Sequence, residues 1–222
     1  MLFRSEGTLG VITAAVLRLY PRPTHAATAW IAVPDPRQAV QLLGDLKKRV
    51  GETISAFELV SRACLEAVLS QVPGTRDPLP RPHPWYVLAE FGDTSPLEER
   101  VAHALEGREA ILAQTVEQSR QLWRLRESIP EAQFSNVKHD ISVAVSRIPE
   151  FIAKAGARLE AAFPGVPLFC FGHVGDGNLH YNVGDKALIA RKAEVGKIVY
   201  EVVDELGGSI SAEHGLGQLK RE

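Results

Sequence analysis

Apolar and polar positions fall into blocks along the chain that read alternately as strands and helices. Residues 1 to 20 open on a glycine-punctuated turn and continue as VITAAVLRL, a pattern typical of a strand. Pro21 and Pro23 stop it, and PRPTHAA forms a boundary. ATAWIAV reads as a second strand. Asp35 and Pro36 then open a helix in the favoured cap-then-proline order, with Val40, Leu43, Leu46 and Val50 on one stripe. TISAFELV is a strand, and Ser61 caps a short helix through Leu69. PGTRDPLPRPHP is a proline-rich loop, followed by the strand WYVLAEF. Ser95, Pro96 and Glu98 form a capping-box start to a long helix, and a further helix carries Trp123, Arg126 and Ile129.

Beyond it, ISVAVS reads as a strand, PEFIAKAGARLEAAF as a helix, VPLFCFG as a strand and HYNV as its hairpin partner. The last long helix runs from Asp185 to about Leu206 and ends at Gly207-Gly208 in C-cap fashion. No repeat of fixed period appears. Alternating strands and helices with one late hairpin predict an α+β domain of ferredoxin-like βαβ units, with an antiparallel sheet and helices on one face. A parallel doubly wound sheet is the second choice.

Composition narrows the function classes. The 222 residues suffice for a substantial core in one or two domains. With 25 basic and 27 acidic residues the net charge is −2, too balanced to imply nucleic acid or an anionic membrane as partner. Charged residues or proline interrupt every apolar run, and MLFRSEGTLG lacks a secretory pattern, which points to a cytoplasmic protein, or a mitochondrial-matrix one in a eukaryote. Cys64 and Cys170 sit in apolar contexts and read as small buried hydrophobes in a reducing compartment. The chain opens inside a strand-turn-strand unit and closes at LKRE, a few residues into a new helix, so both ends read as cut.

Candidate chemistry concentrates in FGHVGDGNLHYNV. Asp176-Gly177 is a strong two-residue hairpin signal. In a tight turn, residues equidistant from its centre pair, which sets His173 opposite His180 with Cβ atoms roughly 4.5–5.5 Å apart. Two imidazoles so placed can share a divalent metal, or one can orient the other. Gly172, Gly175 and Gly177 suit a sharply bent backbone, and Asn178 adds an amide that can bond a ligand or accept a left-handed turn. The plainer alternative is a surface hairpin with two incidental histidines.

A second cluster, GGSISAEHGLG, carries Glu213 and His214. Neighbours in an extended segment point to opposite faces, so one can ligate a metal while the other faces a substrate. A His-His-Glu set with open positions is the arrangement of a catalytic metal. Arg124 and Arg126 on a helix, and Lys138 before a strand, can grip carboxylates if they converge; solvated surface is the commoner fate of such residues. His25, His83 and His103 receive no role.

SEGTLGVIT, WRLRESI, VKHDISV, GHVGDGNLHYNV and AEHGLGQLKRE occur here in the order found in FAD-linked oxidases of the vanillyl-alcohol-oxidase type. The resemblance runs from end to end and is strongest to the branch of D-2-hydroxyglutarate dehydrogenase, D-lactate dehydrogenase and the glycolate oxidase flavin subunit. It implies hydride transfer from a D-2-hydroxy acid to FAD, beside a divalent metal (Zn or Mn). It implies that His173, His180 and Glu213 hold the metal and that His214 takes the hydroxyl proton. Arg126 and Lys138 would grip carboxylates, and Asn178 would contact substrate. Glu6, Gly7, Thr8 and Gly10 would lie near the flavin, so residues 1–22 match the end of an FAD-binding domain and 23–222 a substrate and metal domain, truncated at its C-terminal end. The electron acceptor would be a cytochrome, quinone or electron-transfer flavoprotein, and a homo-oligomer is compatible with the family.

Three departures stand out: the larger flavin-binding region and the C-terminal tail are missing, and Pro130 stands where hydroxyglutarate-specific relatives carry a hydroxyl residue. An alternative is a hydroxyacid-binding or assembly module that pairs with a separate flavin-bearing subunit. A metal-dependent hydrolase using His173, His180 and Glu213 is disfavoured by the lack of an activated nucleophile.

Overall fold

Seven strands form one antiparallel sheet, in a computed structural model that describes residues 10–133, 135–184 and 186–213. The strands are β1 (His25–Val33), β2 (Ile54–Ser61), β3 (Trp85–Asp93), β4 (Ala110–Leu112), β5 (Asp140–Ser142), β6 (Leu168–His173) and β7 (Asn178–Val183). They lie in the order β4-β1-β3-β2-β6-β7-β5. Because β3 pairs antiparallel with both β1 and β2, the last two run parallel and need a crossover, which helix α1 (Pro36–Val50) supplies. That interleaving is the ferredoxin-like arrangement expected from the sequence, and the α+β class stands.

The remaining helices are α2 (Arg62–Gln71), α3 (Glu98–Ala104), α4 (Val116–Glu127), α5 (Ile148–Ala162) and α6 (Lys192–Glu205). Four of the six, α1, α3, α5 and α6, cover one sheet face over Ile31, Leu59, Val87, Leu179 and their neighbours. The expectation of helices on one face needs a correction here: α2 and α4 pack on the opposite face against Trp30, Val60, Tyr86, Leu88 and Phe171. Strands buried on both parities demand cover on both sides. The second cover is partial, since α2 and α4 rest on β1, β3, β2 and β6. Beyond them, β7 and β5 turn Asn178, His180, Asn182 and Asp140 to that side, because side chains of one parity share a face.

Several local expectations hold for their stated reasons. Asp35 caps α1 by accepting from the Gln38 amide at 2.8 Å, with Pro36 in the first turn. Gly207, at φ 65°, ends α6 in the left-handed conformation. Others fail. VITAAVLRL is not a strand: within residues 10–23 the described chain forms no regular element, and Val11, Val16, Leu17, Leu19 and Tyr20 are exposed. A strand needs a neighbour's hydrogen bonds, and alternation alone does not supply one. The helix after Ser95 is short and starts at Glu98, because Ser95 bonds Asp93 instead of the helix end. The edge strand β4 was missed altogether, being three residues long.

Phe151 packs edge-on against Tyr181 at 5.2 Å, fully buried between α5 and the sheet. Phe151→Ala is expected to destabilise the chain by about 3–5 kcal/mol through the cavity it leaves, read as a lower urea midpoint with unchanged slope.

Candidate functional site

Among the described residues no helix covers the β7–β5 end of the second sheet face, and the ionisable groups gather there. Pairing sets Glu58 on β2 directly opposite His173 on β6, Phe171 opposite His180 on β7, and His180 opposite Asp140 on β5. All of these side chains share one face by strand parity. The hairpin is therefore wider than expected: His180 pairs with Phe171 and not with His173. Val174–Asp176 form a 3-10 turn closed by Gly177 at φ 75°, whose carbonyl accepts from the Val143 amide at 3.0 Å. The displacement is two residues, and since the side-chain period is two, both histidines stay on the same face as diagonal neighbours.

Glu213 arrives from the chain after α6. Ser209 pairs with Ser142 at the sheet edge, and the Asp140 carboxylate accepts from the Ala212 and Glu213 amides at 3.2 and 2.9 Å. This clamp brings one Glu213 oxygen to 3.2 Å from His173 Nε2 and the other to 4.0 Å from His180 Nε2. The His180 ring tilts against Phe171 at 4.7 Å, and its Nδ1 stands 3.9 Å from Asp140. His173, His180 and Glu213, singled out from two distant glycine-rich stretches, thus converge. Among the described residues, no three His, Cys, Asp or Glu side chains close into a metal-holding cage.

Glu58 lies beneath them with no solvent exposure. One oxygen faces His173 Nδ1, and the other accepts from Arg126 Nε at 2.7 Å. Burial pushes its carboxyl up, but the His173 hydrogen bond and the Arg126 charge outweigh that and hold it below the usual carboxylate range. The hydrogen bond to Glu58 in turn raises the His173 imidazole above its ordinary value, against the opposing effect of burial. Arg126 stacks over Phe171 at 5.0 Å. The α4 helix that delivers it is also held to a second acid through Trp123, three residues before Arg126, whose Nε1 donates to Glu90 at 2.8 Å.

The other candidates are distributed unevenly. Asn178 is buried on the His180 face, and its Oδ1 has no hydrogen-bond partner among the described residues. Lys138 is exposed, and the β5–β7 register continued through the Val137–Val183 bridge sets it on the same face. Arg124 turns away to the proline-rich loop, donating to the Pro73 carbonyl. Gly10 is exposed, whereas His214, Glu6, Gly7 and Thr8 lie outside the described residues. Sequence reasoning missed Glu58 and Asp140. The signal for Glu58 was present, as a lone acid inside TISAFELV, a strand otherwise apolar in its second half.

A buried polar network braces the floor. Gln133 receives Asn182 and Asn136 at 3.0 and 3.3 Å and donates to Cys64 Sγ at 3.4 Å. Ser61, expected as a helix cap, instead donates to Cys64 and accepts from the Cys170 amide. Both thiols are buried, as expected from their apolar contexts.

This architecture defines the chain as an antiparallel α+β domain of the kind found in vanillyl-alcohol-oxidase-type flavoproteins. It superposes on p-cresol methylhydroxylase with a TM-score of 0.54 at 13% identity, covering 86% of this chain and 46% of that one. Alkyldihydroxyacetonephosphate synthase gives 0.57 at 14% identity, covering 98% and 46%. Residues 22–222 match the family described as FAD linked oxidases, C-terminal domain, and the chain belongs to it. It is 34% identical to D-2-hydroxyglutarate dehydrogenase of Xanthomonas citri pv. viticola over 100% of this chain and 49% of that protein. The Stutzerimonas stutzeri protein of the same name is 35% identical, over 98% and 50%. The mitochondrial one of Arabidopsis thaliana is 33% identical, over 97% and 40%. The chain spans about half the length of the first two relatives.

Two outcomes follow from this geometry. A Cβ on Gly177 would collide with the Val143 carbonyl, whereas one on Gly207 meets open space. Gly207→Ala is expected to cost about 1–2 kcal/mol from its left-handed backbone alone, and Gly177→Ala clearly more in the same urea titration. Burial pushes the Cys64 thiol up to about 11 and raises Cys170 well above its ordinary value. Thiol-reactive dye at neutral pH should therefore leave both unmodified in the native chain and titrate both after unfolding.

Proposed function

We propose that this chain is the substrate side of an FAD-dependent oxidoreductase that oxidises a D-2-hydroxy acid to the 2-oxo acid. The observation that carries the reading is the convergence of His173, His180 and Glu213 beside Arg126 on one sheet face. Family membership supports FAD as the oxidant, and the names of the relatives support a 2-hydroxy acid of the hydroxyglutarate or lactate type.

Two imidazole nitrogens and a carboxylate form a donor set that suits zinc or manganese. The Nε2 atoms of His173 and His180 and the Glu213 carboxylate would hold such a cation, which when bound supplies polarisation of the substrate hydroxyl. Arg126 offers a planar fork to the carboxylate, with its two terminal nitrogens free of hydrogen bonds among the described residues. Lys138 at the rim suits a second carboxylate, and the buried Asn178 Oδ1 is an acceptor awaiting a donor. His214, next along from Glu213, is assigned the hydroxyl proton. Pro130 leaves the length of the acid undecided between two-, three- and five-carbon substrates.

Residues 1–22 are assigned to the edge of the flavin-binding region. The exposed apolar side chains of Val11, Val16, Leu17 and Leu19 fit a segment that another surface covers. That observation serves equally the second reading, a hydroxyacid-binding module that pairs with a separate flavin-bearing polypeptide. A cytochrome, quinone or electron-transfer flavoprotein would accept the electrons. Among the described residues no helix is long and apolar enough to cross a membrane.

Elemental analysis of the purified chain, followed by calorimetric titration with D-lactate and D-2-hydroxyglutarate with and without chelator, tests the assignment. About one zinc or manganese per chain is expected, with hydroxyacid affinity that disappears with chelator. His173→Ala should weaken metal binding by more than about 100-fold, beyond the range typical of outer-sphere changes. A folded chain that takes up neither ion overturns the metal assignment. Metal uptake with no hydroxyacid affinity keeps the ion and rejects the carboxylate grip.

A further inference from the structure

Glu58 has the properties of a group placed for a purpose other than fold stability. It is an acid with no solvent exposure, on a strand whose flanking positions of the same parity are Ala56 and Val60. Burying a carboxylate is costly unless it is paired and hydrogen-bonded, and an apolar residue there would serve the core equally well. Its two oxygens are divided between two partners of different kinds. One accepts from Arg126 Nε at 2.7 Å, and the other faces His173 Nδ1.

The consequence lies in the His173 ring. A neutral imidazole carries one N–H and one lone pair, and an ionised carboxylate can only accept. Two carboxylates compete for that proton, and Glu58, which is nearer and fully buried, holds it on Nδ1 against the part-exposed Glu213, leaving the lone pair on Nε2. Nε2 is the atom directed at Glu213, 3.2 Å away. Arg126 balances the Glu58 charge from the far side, so the carboxylate stays ionised when His173 is neutral. The same arginine stacks on Phe171, the ring that His180 also tilts against, so one aromatic side chain spaces the two halves of the site.

We propose that Glu58 is a positioning residue: it sets the tautomer and orientation of His173, aims its Nε2 lone pair at the space beside Glu213, and ties that histidine to Arg126 through one buried carboxylate. The cation half of the site and the anion-gripping arginine are thereby fixed relative to each other, although they come from β6 and α4. This rests on the metal reading given above for its function, but the tautomer itself is a property of the metal-free chain.

The test is nitrogen NMR of the His173 imidazole in the metal-free chain, at a pH above the end of that ring's own titration, assigned by comparison with His173→Gln. The wild-type chain is expected to show the proton on Nδ1. Glu58→Leu/Arg126→Met, which replaces the buried pair by apolar groups so that no unpaired charge remains, should show it largely on Nε2, the form that free histidine favours in water. Arg126→Met alone should keep the proton on Nδ1. A chromogenic-chelator competition with zinc supplies the second readout, with an expected loss of about 10–100-fold in zinc affinity for the double variant and less for Arg126→Met. An unchanged tautomer in the double variant overturns the proposal. If the wild type binds no zinc while the tautomer follows Glu58, the metal reading fails and the positioning role stands. If zinc binds and the tautomer ignores Glu58, the reverse holds.

Discussion

The Glu58 carboxylate touches one group from the sheet and one from a helix, and the geometry of the site depends on both contacts. A single ion pair on a protein surface is worth little, because water and salt screen it. This one has no solvent on its acidic side, and removing Arg126 would leave the buried Glu58 charge without its fixed counter-charge. The pair therefore does not so much add stability as restrict the arrangements the neighbourhood can adopt. The α4 helix can occupy one position relative to β2, with Arg126 over Glu58 and Trp123 over Glu90, and the His173 ring can present one nitrogen outward.

The sheet explains why this happens on one face only. Strands β1, β2 and β3 are apolar on both parities, and helices cover them on both sides. On the second side the cover stops near β6, while on the first it continues across α5 and α6. Polar residues on β7 and β5 can face the second side because, among the described residues, no apolar helix face lies against them. The chemistry is thus located by where the second layer of helices ends. The segment after α6 is brought to this gap by backbone bonds, through Ser209 at the sheet edge and the two amides clamped by Asp140.

Much of this was legible in the sequence, for identifiable reasons. The βαβ alternation gave the antiparallel α+β sheet, and two glycine-rich stretches carrying histidine and acid gave three groups that do converge. The register of the hairpin was read wrongly because Asp176-Gly177 suggests a two-residue turn, whereas Val174–Asp176 coil into a 3-10 turn with Gly177 after it. The error left the face intact, since it amounted to a full period. Glu58 and Asp140 escaped because each acts through distant partners: Glu58 is 68 residues from Arg126, and Asp140 is 73 from Glu213. No local pattern encodes such pairs. The short edge strand β4 and the two-sided helix cover were invisible for a similar reason, being decided by neighbours in space.

The charge balance of the cluster constrains what can occupy it. Among the described residues, Glu58, Asp140 and Glu213 bring three carboxylates to the neighbourhood, and Arg126 brings one fixed cation, engaged by Glu58. Lys138 sits toward solvent on the same face, where its charge is better screened. Glu58 and Glu213 flank the His173 ring on its two nitrogens, so acids outnumber the fixed cation beside it among the described residues. Protons on the imidazoles can balance them, and the upward displacement of His173 follows that logic, with Glu58 as its largest cause and Glu213 adding to it. A divalent cation between the same nitrogens and the Glu213 carboxylate would balance them equally well. Both use the Nε2 lone pairs, so the two forms of compensation exclude each other. Among the described residues, an anionic substrate approaching the proton-free, cation-free cluster would meet more carboxylates than fixed cations. A carboxylate-binding role for Arg126 thus requires the neighbouring acids to be neutralised first, which makes the anion and cation halves of the proposed site interdependent.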